Sequence, residues 1–198
     1  MVKVIGITGS IAVGKSTVTR YLLTHGYRVM DADKISKEAL NVGTSCYKKV
    51  VELFGCVNDD LTIDRKSLGN LVFCDSLKKK QLEDIIHPYV IETLKNGIKE
   101  CVDELIFLDI PLLFEANLEY LCDKIIVVYV DENTQMNRLM ERNHIDKDAA
   151  LHLMKQQMSI EDKKRLGDYI VDNRYNHEDL YKNIERVLKE IKDDIIHE

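Results

Sequence analysis

At 198 residues, 45% of them hydrophobic and 31% charged, the chain is long enough to bury about 70% of its unfolded surface and so to hold one domain with a full core. A formal net charge of -6, with no run interleaving basic and aromatic residues, excludes a general nucleic-acid binder and leaves room for a local positive cleft. Five widely spaced cysteines (Cys46, Cys56, Cys74, Cys101, Cys122) form no C-x-x-C pair, and neither a signal-peptide core nor a membrane-spanning run is present, so the expectation is reduced core thiols in a soluble cytoplasmic protein.

The β-branched run Val4, Ile5, Ile7 predicts a buried strand ending at Thr8, and Val18, Tyr21, Leu22 and His25 recur at helical spacing until Gly26. Between them, Gly9-Ser10-Ile11-Ala12-Val13-Gly14-Lys15-Ser16 fits G-x-x-x-x-G-K-[ST], in the strand, loop, helix context that the motif requires. Glycine lets such a backbone wrap an anion, so that successive N–H groups and the helix N-terminus point at phosphate oxygens. Lys15 adds a positive charge near the β- and γ-phosphates, and Ser16 offers a hydroxyl to the Mg²⁺ that the nucleotide carries. The stretch predicts binding of a nucleoside triphosphate.

Tyr27 to Met30 predicts a strand that delivers Asp31-Ala32-Asp33 to the C-terminal edge of a parallel sheet, where ligands bind. Short amphipathic helices follow, carrying Ile35, Ala39 and Leu40, then Tyr47, Val50, Val51 and Phe54, with Gly43 and Gly55 as stops. Val57 to Asp64 reads as a polar connection, Leu68, Leu71 and Val72 as another helix, and Ser76 as the cap of one bearing Leu82, Ile85 and Ile86. Lys78 to Lys80 reads as the solvated face of that helix. Pro88 suits the first turn of a helix carrying Ile91, Leu94, Ile98 and Val102, which places His87 at a helix N-terminus.

Leu105 to Ile110 predicts a strand interrupted by Asp109, in a Walker-B-like position, and closed by Pro111. Lys124 to Val130 predicts a further strand ended by Asp131. The helix after it carries Met136, Leu139 and Met140, with Arg138 and Arg142 on one face. Asp146 caps a helix with Ala150, Leu153 and Met154, and Ser159 with Asp162 forms a capping box for the next, an excursion that resembles a lid. Tyr169 to Val171 is the last predicted strand, with Asp172-Asn173 at its edge. The stripe Leu180, Ile184, Val187, Leu188, Ile191, Ile195 packs a terminal helix on the sheet. Strands alternating with helices indicate an α/β protein with a parallel sheet covered on both faces, and Ala32 to Val102, lacking a clear strand, reads as a helical insertion.

Phosphoryl transfer needs the charge on three equatorial oxygens neutralised, an acceptor held in line and, for an alcohol, a group to receive its proton. Asp33 is the candidate base, with an N-cap for the helix at Lys34 as its alternative role. Arg138 and Arg142 either clamp phosphates with their rigid donors or line an exposed helix face. His87 either contacts an anionic acceptor or caps and packs a helix; Asp109 either holds Mg²⁺ through water or caps a turn. His144 and His152 read as surface residues.

In order and spacing, Thr8 to Thr17, Asp31-Ala32-Asp33, Leu53-Phe54-Gly55, Ile86-His87-Pro88, Ile110-Pro111-Leu112-Leu113-Phe114-Glu115 and Asp172-Asn173 together resemble the dephospho-CoA kinase family over nearly the whole chain. The resemblance implies transfer of the ATP γ-phosphate to the 3′-hydroxyl of dephospho-CoA, the last step of coenzyme A biosynthesis. It implies a P-loop kinase core with a five-stranded parallel sheet flanked by helices, a helical CoA-binding insertion at about 34–102 and a helical lid at about 138–166. By position it makes Asp33 the base, Lys15 and Arg142 phosphate stabilisers, and Gly9, Ala12, Val13, Gly14, Lys15, Ser16, Thr17 and Asn173 the ATP site. Thr8, Asp33, His87, Leu112 and Arg138 fall to the acceptor, and Ser16 with Asp109, through water, to Mg²⁺. The family usually carries glycine where this loop has Ser10 and Ala12; both are small, so the expectation is altered loop stiffness with binding kept, unless position 12 requires a positive φ. A nucleoside or nucleoside monophosphate kinase would share the core, with Asp31-Ala32-Asp33 and His87-Pro88 against it. A regulatory GTPase would need an N-K-x-D stretch, which is absent. The sequence sets no oligomeric state.

Overall fold

The protein is described over residues 2–197 by a computed structural model. Its strands are β1 (Lys3–Thr8), β2 (Arg28–Asp31), β3 (Leu105–Asp109), β4 (Lys124–Tyr129) and β5 (Tyr169–Asp172), and its α-helices are α1 (Lys15–Thr24), α2 (Ala32–Glu38), α3 (Ser45–Phe54), α4 (Arg65–Cys74), α5 (Ser76–Lys99), α6 (Glu132–Asn143), α7 (Lys147–Met154), α8 (Ile160–Leu166) and α9 (His177–His197). The strands form one all-parallel sheet in the order β2-β3-β1-β4-β5. Its central strands read as continuous apolar runs because helices cover both faces: Ile5, Ile7, Ile106, Phe107, Leu108, Ile126, Val127 and Val128 are all buried. Register sets the site, since Ile7 lies opposite Asp109 and Thr8 opposite Val127, which puts the loop after β1 between the ends of β3 and β4.

The chain divides into two compact units, residues 1–30 with 101–198, and residues 31–100. The larger holds the sheet, α1 and α6 to α9. Two of its caps follow the sequence, Asp146 accepting from the Ala149 N–H and Ser159 with Asp162 closing their capping box at 3.0 and 2.7 Å; Asp131, expected only to end a strand, also caps α6 by accepting from the Thr134 N–H. The smaller unit packs α2 to α5 around a core of Val50, Cys56, Ile63 and Leu68, with Leu82 and Ile85 against it. Thr44 caps α3, and Gly55, at φ 63, ends it as the sequence predicts. A Val57 to Ile63 bridge turns the expected polar connection back on itself.

Asp75, not Ser76, caps α5: it sits one residue earlier in extended conformation, and its carboxylate accepts from both Leu77 and Lys78 N–H groups. Pro88 does not begin a helix but lies inside the 24-residue α5, so His87 is mid-helix and exposed rather than at an N-terminus. An interior proline costs about 3 kcal/mol. The helix persists because α5 packs on α2, α3 and α4, while Pro88 itself is exposed. Val102 falls beyond the helix and is 94% exposed. All five cysteines are free, but only Cys46 and Cys56 are buried, and Cys74 is exposed at the end of α4. Among the described residues no helix is long and apolar enough to cross a membrane.

Candidate active site

The loop between β1 and α1 turns twice through left-handed backbone, at Ala12 (φ 64) and Gly14 (φ 88). Gly14 is also the N-cap of α1 and provides no side-chain cap, which leaves the helix N-terminus suited to an anion. Two glycines are demanded by contact: a Cβ at Gly9 would lie 2.9 Å from the Val128 carbonyl, and one at Gly14 would lie 2.2 Å from Asn173 Nδ2. The condition attached to position 12 is met, since its φ is positive. Carrying alanine there in place of glycine costs about 1 kcal/mol.

Lys15 reaches back from α1 to form an ion pair with Asp109 at the end of β3, and Thr19, one turn on, donates to the other carboxylate oxygen at 2.7 Å. Asp109 is 4% exposed, so a partner for its charge is a requirement of burial. Ser16, by contrast, is exposed in the first turn of α1, and Thr17 half-buried beside it.

The sequence motif Ile110 to Glu115 works through its backbone and its last side chain. The Pro111 carbonyl accepts from Thr8 Oγ1 at 2.9 Å and from Lys163 Nζ at 2.8 Å; Glu115 Oε1 accepts from Lys163 Nζ at 2.9 Å and from the Met158 N–H at 2.9 Å. Lys163 is fully buried, and burial lowers its pKa against the opposing pull of Glu115. Leu112, within the same motif, is 44% exposed.

Asn173, at the edge of β5, is 8% exposed and turns its side chain inward, donating from Nδ2 to the Val13 carbonyl at 2.8 Å. Its own carbonyl accepts from Arg138 at 2.9 Å. The expected arginine pair is therefore split: Arg138 is docked on the β5 edge, while Arg142, one turn later, is exposed and hydrogen-bonded only to Asn143 Oδ1 among the polar contacts described for it. Two glutamines hold the loop tip, Gln157 at the Ile11 N–H and Gln135 at the Ile11 carbonyl, and Ser10 donates to the Met158 carbonyl at 3.1 Å. Sequence reading missed Gln135, Gln157 and Lys163, because partners so far away along the chain leave no local pattern.

In the unit of residues 31–100, Asp33 stands in the first turn of α2. The capping role that competed for it is taken by Asp31, whose Oδ1 accepts from the Lys34 N–H at 3.0 Å.

The dephospho-CoA kinase family profile matches residues 3–179. The chain belongs to the dephospho-CoA kinase family. A dephospho-CoA kinase of Oceanobacillus iheyensis is 42% identical over 194 residues, covering 96% of this chain and 98% of that relative. A crystal structure from Thermus thermophilus matches with a TM-score of 0.81 at 32% identity, covering 96% and 97% of the two chains. A solved structure of the dephospho-CoA kinase from Campylobacter jejuni matches with a TM-score of 0.73 at 31% identity, covering 96% and 98% of the two chains. The loop from Gly9 to Ser16 runs directly into the N-terminus of α1, and the Lys15 ammonium beside it pairs with Asp109.

Proposed function

We propose that the chain binds ATP at the loop from Gly9 to Thr17 and transfers its γ-phosphate to the 3′-hydroxyl of dephospho-CoA, giving coenzyme A and ADP. The observation that carries this reading is the phosphate loop with its Lys15–Asp109 pair, in a chain that matches the dephospho-CoA kinase profile nearly throughout. The ribose oxygen forms a bond to the γ-phosphorus as the bond to the β,γ-bridging oxygen breaks; ADP leaves with that electron pair, and Asp33 takes the hydroxyl proton. Lys15 and Arg142 stabilise the charge on the moving phosphoryl group. Asn173 serves the ATP site by holding the Val13 carbonyl, which keeps the loop in shape.

Residues 34–102 form the acceptor-binding insertion in this reading, and residues 138–166 the lid. Thr8, Leu112, Arg138 and His87 contribute to the acceptor site. Among the described residues no cluster of three or more His, Cys, Asp or Glu could hold a metal, but a hydroxyl and one carboxylate fit Mg²⁺, which is bound through few protein oxygens together with phosphate and water. Ser16 would hold it through its hydroxyl and Asp109 through water, both Asp109 oxygens being engaged by Lys15 and Thr19, and when bound it supplies further neutralisation of phosphate charge. The free cysteines fit a reducing compartment, and we place the reaction in the cytoplasm. The test is a phosphoryl-transfer assay with ATP and a panel of acceptors, with mass analysis of the product for a new ribose 3′-phosphate.

A further inference from the structure

The peptide groups of Ile11 are held from both sides by glutamine side chains from far along the chain. Its N–H donates to Gln157 Oε1 at 2.8 Å, and its carbonyl accepts from Gln135 Nε2 at 2.9 Å. The partners dictate the orientation of each amide, since an N–H requires oxygen and a carbonyl requires a donor. Gln135 is 2% exposed on α6, so its amide has little water to fall back on. Gln157 lies in the connector between α7 and α8, where the next residue, Met158, accepts from Ser10 and donates to Glu115. Immediately after Ile11 comes Ala12 with φ 64, a conformation that an L-residue keeps only where its surroundings over-determine it.

We propose that Gln135 and Gln157 are positioning residues of the phosphate loop. They fix Ile11, hold Ala12 in its left-handed conformation, and so aim the N–H groups that follow toward the phosphate position. The clamp also ties α6 and the α7–α8 connector to the loop, so the segment proposed as the lid bears directly on nucleotide affinity. This inference rests on the reading of Gly9 to Ser16 as the ATP phosphate site.

The test compares Gln157→Leu, Gln135→Leu and the double variant with wild type, in calorimetric titrations with ADP and in steady-state kinetics with ATP and dephospho-CoA. Leucine keeps the approximate volume and removes donor and acceptor. Each single variant should bind ADP about tenfold more weakly, the scale of one lost hydrogen bond in a closed site. The double variant should bind little more weakly than either single one, because both glutamines act on one residue. The KM for dephospho-CoA should stay within about twofold, a separation that general loosening of the fold would not give. ADP affinity within about twofold of wild type in a folded Gln157→Leu protein would overturn the proposal, as would fully additive losses. If Gln135→Leu fails to fold, Gln157→Leu, at a half-buried position, still decides through affinity and the KM comparison. Wild type that binds ADP but leaves dephospho-CoA unphosphorylated overturns the acceptor reading, and the ADP titrations then judge the clamp by themselves. Wild type that binds no ADP overturns both.

Discussion

The Lys15 ammonium and the Asp109 carboxylate form an ion pair at the root of the phosphate loop, and Thr19 completes it by donating to the second carboxylate oxygen. The sheet register makes this meeting possible, since Asp109 lies opposite Ile7, two residues before the loop begins. Lys15→Ala should lower turnover on the order of 10²-fold through loss of one electrostatic stabiliser. It should also lower stability by about 2 kcal/mol, because Asp109 keeps a buried charge with only Thr19 to compensate it. Adding Asp109→Asn should restore part of that stability and none of the turnover. Denaturant unfolding and steady-state kinetics on the two variants check both halves.

Asn173 packs its amide into the space that a side chain at Gly14 would need. Asn173→Ala should therefore weaken ATP binding several-fold and cost about 1 kcal/mol of stability through the lost bond to the Val13 carbonyl. Gly14→Ala should be far worse, with both a collision and a φ of 88 against it. Combining the two removes the collision and leaves the backbone strain, so the double variant should recover part of the stability lost in Gly14→Ala. No recovery would show that strain at position 14 is the whole effect.

Asp31 and Asp33 should separate cleanly. Asp31→Ala removes the cap of α2 and should cost about 1 kcal/mol with turnover nearly kept. Asp33→Asn keeps shape but cannot take a proton, and turnover should fall roughly 10²-fold with circular dichroism unchanged. A folded Asp33→Asn protein with near wild-type turnover would remove Asp33 from the chemistry.

Stability on the acid side should depend on Asp131. The Thr134 N–H and then the Thr134 hydroxyl, at 2.9 and 2.7 Å, hold its carboxyl below the ordinary value of 3.8. A depressed folded pKa means stability that is present above pH 3.8 and lost as pH falls through the folded value. Asp131→Asn still caps α6 but cannot titrate, so its unfolding free energy should fall less steeply below pH 3.8 than that of wild type. Equal slopes would mean that the cap is as good protonated as ionised.

The sheet and its loop were legible because their signals are local: β-branched runs, glycine at the turns, and a lysine and serine at fixed spacing. Asp146, Ser159 and Gly55 were legible for the same reason. His87-Pro88 misled, because proline marks a helix start only where packing does not override its cost, and the three helices against α5 do so. Asp33 was read as the base with a cap as its alternative, and Asp31 as the more structural of the two because it still stands on the strand end; Asp31 does end β2 and cap α2. Gln135, Gln157 and Lys163 were invisible in the sequence. Each acts on a backbone group or a carboxylate brought to it by the fold, and a glutamine on an amphipathic helix looks like any solvated residue until its partner is in place.

The most direct test of the central claim is the rate of ATP-dependent phosphorylation of dephospho-CoA beside AMP, CMP, UMP and free nucleosides under the same conditions. The account predicts that dephospho-CoA is phosphorylated on its ribose 3′-hydroxyl at least about 10²-fold faster than the others, the discrimination that a site built around one acceptor can reach. Equal or faster turnover of a nucleoside monophosphate would contradict it.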